Sequence, residues 1–308
     1  MRQRMVAALL ALAVLGSATG NPYPVARMAP ADPAFERMTE ARARPEAARA
    51  KPPRSRYSIT IPLDPVVRSV PQPRILGPKD RPLVVIDAGH GGHDPGTISP
   101  FGGTKEKNLT LSVAKLVRDE LLASGRVRVA LTREDDTFLI LRERTAVARN
   151  LGAKLFISIH ADSAGEQATG STIYTLSEVA SDREAHALAQ RENRADILNG
   201  VNLSGESGDV TSILVDLAQR ETMAASLEFA KLVRRESAGL VPFRTGGLRM
   251  AGLAVLKAPD MPAILVELGY LSNREDAARI RSTEGQRNIA IGLRRAVEIH
   301  FAKQMATR

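Results

Sequence analysis

The sequence predicts a single α/β domain, a mostly parallel sheet flanked by helices and interrupted late by a helical insertion. Three observations carry that prediction. Short β-branched apolar runs, LVVI from Leu83, LFISI from Leu155 and AILV from Ala263, have the composition of strands buried on both faces. Helical patterns alternate with the first two, in the β-α-β-α-β rhythm that goes with parallel pairing and right-handed crossovers. Between the strand around Tyr174 and the Gly-rich stretch at Thr245 lie about seventy residues, far more than a crossover needs.

At the N-terminus, Arg2 and Arg4 precede an apolar stretch from Met5 to Leu15, and the small residues Gly16, Ser17, Ala18 and Gly20 follow. This is the pattern of a secretory signal peptide, with cleavage expected near Ala18 or Gly20, and it is too short for a stable membrane span. An exported protein meets an oxidising compartment, yet the chain has no cysteine and therefore no disulfide framework. The formal charge of +9 would fall by two, to +7, on losing Arg2 and Arg4, since residues 1–20 contain no acid. A basic exported protein suits an anionic polymer, although generic surface charge reads the same way. Export, 4% aromatic residues and no Trp disfavour nucleic acid as a partner.

Residues 21–81 contain 12 of the 18 prolines and read as an extended linker, whose end from Tyr57 to Leu76 includes the alternating YSITIPL of an edge strand or two. The folded domain is expected over 82–304. Leu109, Val113, Leu116, Val117 and Leu121 keep helical spacing from Glu106 to Ser124, and Gly125 ends that helix. A strand over Arg126 to Thr132, a helix over Leu141 to Leu151, the strand ending at His160 and another over Gly170 to Leu176 follow. TGGLRMAG from Thr245 reads as a loop and LAVLKAP after it as a strand. Asn273 caps a short helix, and Glu284 to Lys303 forms the closing one.

The insertion is expected over about 177–240. Ser181 and Glu184 have capping-box spacing at the start of a polar helix that carries His186, Glu192 and Asp196. Asp209 opens a second helix in which Val210, Ile213, Leu214 and Leu217 form an apolar face, suited to packing on the core or to receiving a partner.

The strand ends deliver His90, His160 and Glu267 to one edge, where open α/β sheets place their chemistry. Glu106, at the start of the first helix, faces the same crevice. Two imidazoles and a carboxylate make a three-ligand zinc site with one position left for water, and a second carboxylate can take that water's proton. The pattern is hydrolase machinery. His93 is expected to line the crevice and His300 to be structural. Asp162 reads as a further metal ligand, as a group that fixes an imidazole, or as a loop carboxylate. Thr132, Arg133 and Asp136 read either as groups that orient a ligand or as a turn brace. No G-x-S-x-G elbow, nucleophilic cysteine, H-E-x-x-H helix, G-x-G-x-x-G or Walker A motif is present.

VVIDAGHGGHDPG at Val84 to Gly96, the Glu of KEKNLTL, SIHAD at Ser158 to Asp162 and PAILVELGYLSN at Pro262 to Asn273 resemble the zinc-dependent N-acetylmuramoyl-L-alanine amidases over roughly residues 82–302. Those enzymes cut peptidoglycan between the lactyl group of muramic acid and the first alanine of the stem peptide. The resemblance implies Zn2+ as cofactor, His90, Glu106 and His160 as its ligands, and Glu267 as the catalytic carboxylate. The insertion resembles that of division-associated amidases, which implies a helix covering the zinc, with Glu178, Glu184 or Glu192 as the blocking acid. It also implies a LytM-type activator docking on the face of Val210, Ile213, Leu214 and Leu217, and it favours the periplasm; the chain is expected to be a monomer. Two alternatives share these residues: a module that binds cell wall or an activator without turnover, and a zinc peptidase acting within the stem peptide.

Overall fold

The computed structural model describes residues 72–165, 167–197 and 209–306; for 195–197 and 209–217 it describes the backbone alone. The expected signal peptide and most of the expected linker lie outside the described residues. Among the described residues, no helix is long and apolar enough to cross a membrane.

Six strands form one sheet: β1 (Leu83–Ala88), β2 (Arg128–Leu131), β3 (Leu155–His160), β4 (Ser171–Leu176), β5 (Phe243–Ala251) and β6 (Ala263–Glu267). Their order is β2-β1-β3-β6-β4-β5. β2, β1, β3 and β6 run parallel; β4 runs antiparallel to β6 and parallel to β5. The sheet is therefore mostly parallel, as the buried apolar runs imply. Every residue of β1, β3, β4 and β6 is buried.

Helices cover both faces. On one, α1 (Glu106–Ala123), α4 (Asp209–Glu236) and α6 (Thr283–Ala306) pack through residues such as Val113, Phe229 and Leu293 onto Val84, Ile157 and Ile264. On the other, α2 (Leu141–Asn150) and α3 (Arg183–Ile197) pack through Ala148, Ala185 and Leu188 onto Val85, Phe156, Tyr174 and Leu265. α5 (Arg274–Arg281) is capped by the Asn273 side chain, which accepts from the N–H groups of Glu275 and Asp276. His300 is buried between the rings of Phe229 and Phe301, a packing role.

Three local expectations are corrected. TGGLRMAG is strand, not loop: it forms most of β5, with Leu248, Arg249, Met250 and Ala251 in register with Ile173 to Leu176. LAVLKAP contains a single 3-10 turn, Ala254–Leu256, instead of a strand. Pairing to β4 overrides the weak strand propensity of the glycines. At α3, Ser181 and Glu184 do not form a capping box. Asp182 accepts the Ala185 N–H at 2.9 Å, Ser181 Oγ accepts the Met250 N–H at 2.7 Å, and Glu184 is taken by two arginines of β5.

The packed region begins before residue 82. Leu76 makes an antiparallel bridge to Val129 with both bonds at 2.9 Å, so the end of the linker extends the open edge of β2. α4 begins at Asp209 as expected, while the side chains of Val210, Ile213, Leu214 and Leu217 lie outside the described residues.

Candidate metal centre

His160 and Glu267 are the last residues of β3 and β6 and stand in register with each other. His90 lies two residues beyond β1, and Glu106 is the first residue of α1. These three parallel strands therefore present their chemical groups at one carboxyl edge. One ligand atom each from His90, Glu106 and His160 falls within 4.8 Å of the others, and all three side chains are buried.

The loop carrying His90 is under constraint. His90 has φ +61°, a left-handed conformation uncommon for a residue with a Cβ. Two arginines hold the carbonyls that this turn leaves open. Arg144 donates to Ala88 O at 2.8 Å and His90 O at 3.0 Å, and Arg133 donates to Ala88 O at 2.9 Å and Gly89 O at 2.8 Å. Gly89 must be glycine, because a Cβ there would sit 2.5 Å from the His160 imidazole. Gly96, at φ +63°, passes as closely, its missing Cβ 2.6 Å from His90 and 2.7 Å from Glu106 Oε2.

Glu106 is aimed by two backbone donors, Ala161 N–H at 2.8 Å to Oε1 and Thr97 N–H at 2.9 Å to Oε2. Its Oε1 lies 3.1 Å from His90 Nε2 and 3.3 Å from His160 Nδ1. Among the described residues neither nitrogen finds a hydrogen bond of acceptable geometry, although both are buried. Two orphaned imidazole nitrogens converging on one carboxylate oxygen fit a divalent cation bound between them, a donor set of the N and O atoms that zinc accepts. The other ring nitrogen of His90 meets Asp94 Oδ2 at 2.8 Å, which fixes the imidazole's orientation.

The charges reinforce one another. Burial opposes ionisation of Glu106, but the neighbouring His90 and His160 outweigh it and hold the carboxyl well below the usual range. Burial likewise opposes charging His90, and Glu106 and Asp94 overcome it. Glu267 goes the other way: burial, then the charges of Asp162, Glu106 and Glu192, push its carboxyl well above the usual range. Its Oε2 accepts the Asp162 N–H at 2.9 Å, and its Oε1 is buried with no hydrogen-bond partner among the described residues.

A further carboxylate enters from α3. Glu192 is 6% exposed, with Oε2 3.3 Å from His160 Nδ1 and 3.9 Å from His90 Nε2. Of the three acids named as candidates for that position, Glu178 is exposed and Glu184 is bound by Arg244 and Arg249; Glu192 alone meets the histidines. Asp162 binds the Thr97 hydroxyl at 3.0 Å and the guanidinium of Arg191, so it ties α3 to the site rather than fixing an imidazole. His93 is exposed, its ring 4.3 Å from that of Phe138. Thr132, Arg133 and Asp136 serve as braces: the Thr132 hydroxyl donates to Asp87 at 2.7 Å, and Asp136 pairs with Lys107 at 2.6 Å. Sequence reasoning missed Asp94, whose signal is its place four residues after His90, and missed Arg191.

The model of the N-acetylmuramoyl-L-alanine amidase family Amidase_3 matches residues 84–298, well over half of the chain. The chain belongs to this amidase family. The matched span includes His90, Glu106, His160, Glu192 and Glu267. The chain is 36% identical over 241 residues to N-acetylmuramoyl-L-alanine amidase AmiC of Escherichia coli O6:H1, an alignment covering 77% of this chain and 57% of that protein. It is 38% identical over 242 residues to AmiC of Neisseria meningitidis serogroup B, covering 77% and 58%. With AmiA of Escherichia coli K12 it shares 34% over 221 residues, covering 71% and 76%. The chain thus spans somewhat over half the length of the AmiC relatives. Among solved structures, an N-acetylmuramoyl-L-alanine amidase from Clostridium difficile 630 aligns with TM-score 0.55 and 25% identity, covering 73% of this chain and all of that one. The catalytic domain of the amidase CwlV from Bacillus (Paenibacillus) polymyxa aligns with TM-score 0.51 and 28% identity, covering 72% and 98%.

Proposed function

We propose that this amidase-family chain is a zinc-dependent hydrolase that cuts the amide between N-acetylmuramic acid and L-alanine of peptidoglycan. The observation that carries the proposal is the meeting of His90, Glu106 and His160 beside Glu267 at one carboxyl edge of the sheet. His90, Glu106 and His160 would hold the ion. Once bound, a divalent ion there supplies Lewis acidity, which makes water more acidic and a carbonyl more electrophilic. Glu267 accepts the proton of water as its oxygen adds to the carbonyl carbon, and then gives that proton to the alanine nitrogen as the C–N bond breaks. The products are the lactyl carboxylic acid and a peptide with a free amino terminus. The unpartnered Oε1 of Glu267 is free for this transfer, while Asp162 N–H steadies Oε2.

The resting state would be closed. Glu192 stands where a substrate group would approach the histidines, and α3 is tied down through Arg191 to Asp162 and through Asn193, which donates to Gly252 O and accepts from Ala254 N–H, both at 2.8 Å. Opening requires α3 to leave, and a LytM-type activator docking on the Val210, Ile213, Leu214 and Leu217 stretch of α4 would release it. Export by residues 1–20 to the periplasm and a part in cell separation complete the proposal. The AmiC and AmiA relatives, named as N-acetylmuramoyl-L-alanine amidases, support the bond specificity.

Digestion of purified sacculi with and without a chelator tests this. Mass spectrometry should find peptides that begin at a free L-alanine and glycans that end in intact lactyl groups, both abolished by chelation and restored by zinc. Cuts within the stem peptide would make the protein a peptidase. No release even after deletion of residues 178–208 would make it a binding module.

A further inference from the structure

Beside the metal centre, under the N-terminal end of α3, two arginines of β5 share one carboxylate. Arg244 Nη1 contacts Glu184 Oε1, and Arg249 Nη1 lies 3.2 Å from Glu184 Oε2 and 3.4 Å from Asp182 Oδ1. Each oxygen of Glu184 thus meets its own guanidinium.

The pair is built into the sheet rather than into the helix it holds. Arg244 Nη1 is 3.3 Å from the Tyr270 hydroxyl, with its guanidinium carbon 5.7 Å from the centre of that ring. Tyr270 is buried, and its hydroxyl meets Thr172 Oγ1 at 3.2 Å; Thr172 stands in register with Glu267. Arg249 is in register with Tyr174 and only 10% of its side chain is exposed. The arginines therefore occupy the same face as Glu267, on β5, which β4 separates from the Glu267 strand.

Here two guanidiniums, 24% and 10% exposed with α3 in place, converge on Glu184, with Asp182 beside Arg249 at the same end of the helix, an arrangement that selects for a carboxylate once α3 is gone. The proposed opening of the metal centre removes that anion, because Glu184 and Glu192 ride on the same helix. They are eight residues, or about 12 Å, apart along it. An extended peptide spans about 3.3–3.6 Å per residue, so a carboxylate three to four residues from the cleaved amide reaches the arginines as the amide reaches the histidines.

Resting on the amidase proposal, we infer that Arg244 and Arg249 form a carboxylate-binding subsite for the acidic stem peptide, which Glu184 occupies as an internal mimic while α3 covers the site. The same motion that uncovers the metal centre then readies the subsite, and peptides with free acids are preferred.

Kinetics on the full chain carrying Glu184→Ala test the inference, using two soluble muropeptides, one with free carboxylates and one with them amidated. Glu184→Ala alone should raise turnover. Adding Arg244→Leu or Arg249→Leu should raise KM for the free acid about tenfold or more with kcat nearly unchanged, and should leave the amidated substrate unaffected. Arg→Lys should recover part of the loss, and unchanged melting temperatures would exclude misfolding. Equal effects on both substrates, or an unchanged KM, would reduce the pair to a clasp for α3 and overturn the subsite while the amidase proposal stands. Failure of every variant to cut either substrate would sink the amidase proposal instead. Calorimetric binding of the free stem tetrapeptide then decides: tenfold weaker binding in the arginine variants supports the subsite, and equal binding overturns it.

Discussion

The carboxylate of Glu192 stands 3.3 Å from Nδ1 of His160, the same separation that Glu106 keeps from that atom. The two acids reach it by different routes: Glu106 opens a helix on one face of the sheet, and Glu192 descends from α3 on the other. Glu106 is fixed by two backbone N–H groups, whereas α3 is pinned by the side chains of Arg191 and Asn193. The first acid is held by the main chain; on the proposed reading, the second belongs to a cover, α3, that would lift away.

Glu192→Ala therefore should raise basal peptidoglycan cleavage. A coupling of 1–3 kcal/mol corresponds to about 5- to 150-fold, measured as dye release from labelled sacculi without any activator. A fall in rate with retained folding would mean that Glu192 serves catalysis instead.

Glu267→Gln should keep zinc and lose hydrolysis. The substitution preserves shape and leaves His90, Glu106 and His160 untouched, so metal content by atomic absorption should match the parent. Turnover should drop by about 10²–10⁴-fold, the usual contribution of a general base. Near-normal turnover would remove Glu267 from the chemistry.

Asp94→Ala should weaken metal binding by about 10- to 100-fold, because Asp94 orients the His90 ring from its far nitrogen. Competition with a chromophoric chelator reads this directly. An unchanged affinity would show that the arginine-clamped backbone alone sets the imidazole.

Asp87→Asn should cost stability in a pH-dependent way. Asp87 is buried and accepts from Arg144 at 3.0 Å, the Thr132 hydroxyl at 2.7 Å and the Ser158 hydroxyl at 2.7 Å. Burial alone would raise its pKa, yet Arg144 and the hydroxyls outweigh it, and the net shift is downward. A depressed folded pKa means that the stabilisation is present above the unfolded value, near 4, and is lost as pH falls through the lower folded value. Thermal melts should show the substitution costing about 3–5 kcal/mol at pH 7 and progressively less in strong acid. A penalty independent of pH would show that the ionised form is not what matters.

The sequence by itself determined the strands that matter and the residues at their ends. Three buried apolar runs, each stopping at a polar residue or a glycine turn, suffice to place His90, His160 and Glu267 on one edge, because strand period and parallel connection are local rules. Helical spacing was likewise enough to start α1 at Glu106. Only the tertiary structure decided which acid of the insertion meets the histidines, since Glu178, Glu184 and Glu192 all lie in a polar stretch and are told apart by where they fall relative to α3 and by what that helix packs against. It also decided that the Gly-rich TGGLRMAG becomes β5, through pairing that no residue in that segment announces. The clamps on the turn at residues 88–90 from Arg133 and Arg144, and the arginine pair around Glu184, join residues more than forty positions apart. Long side chains choose partners across space by charge and geometry, and that choice leaves no period in the sequence.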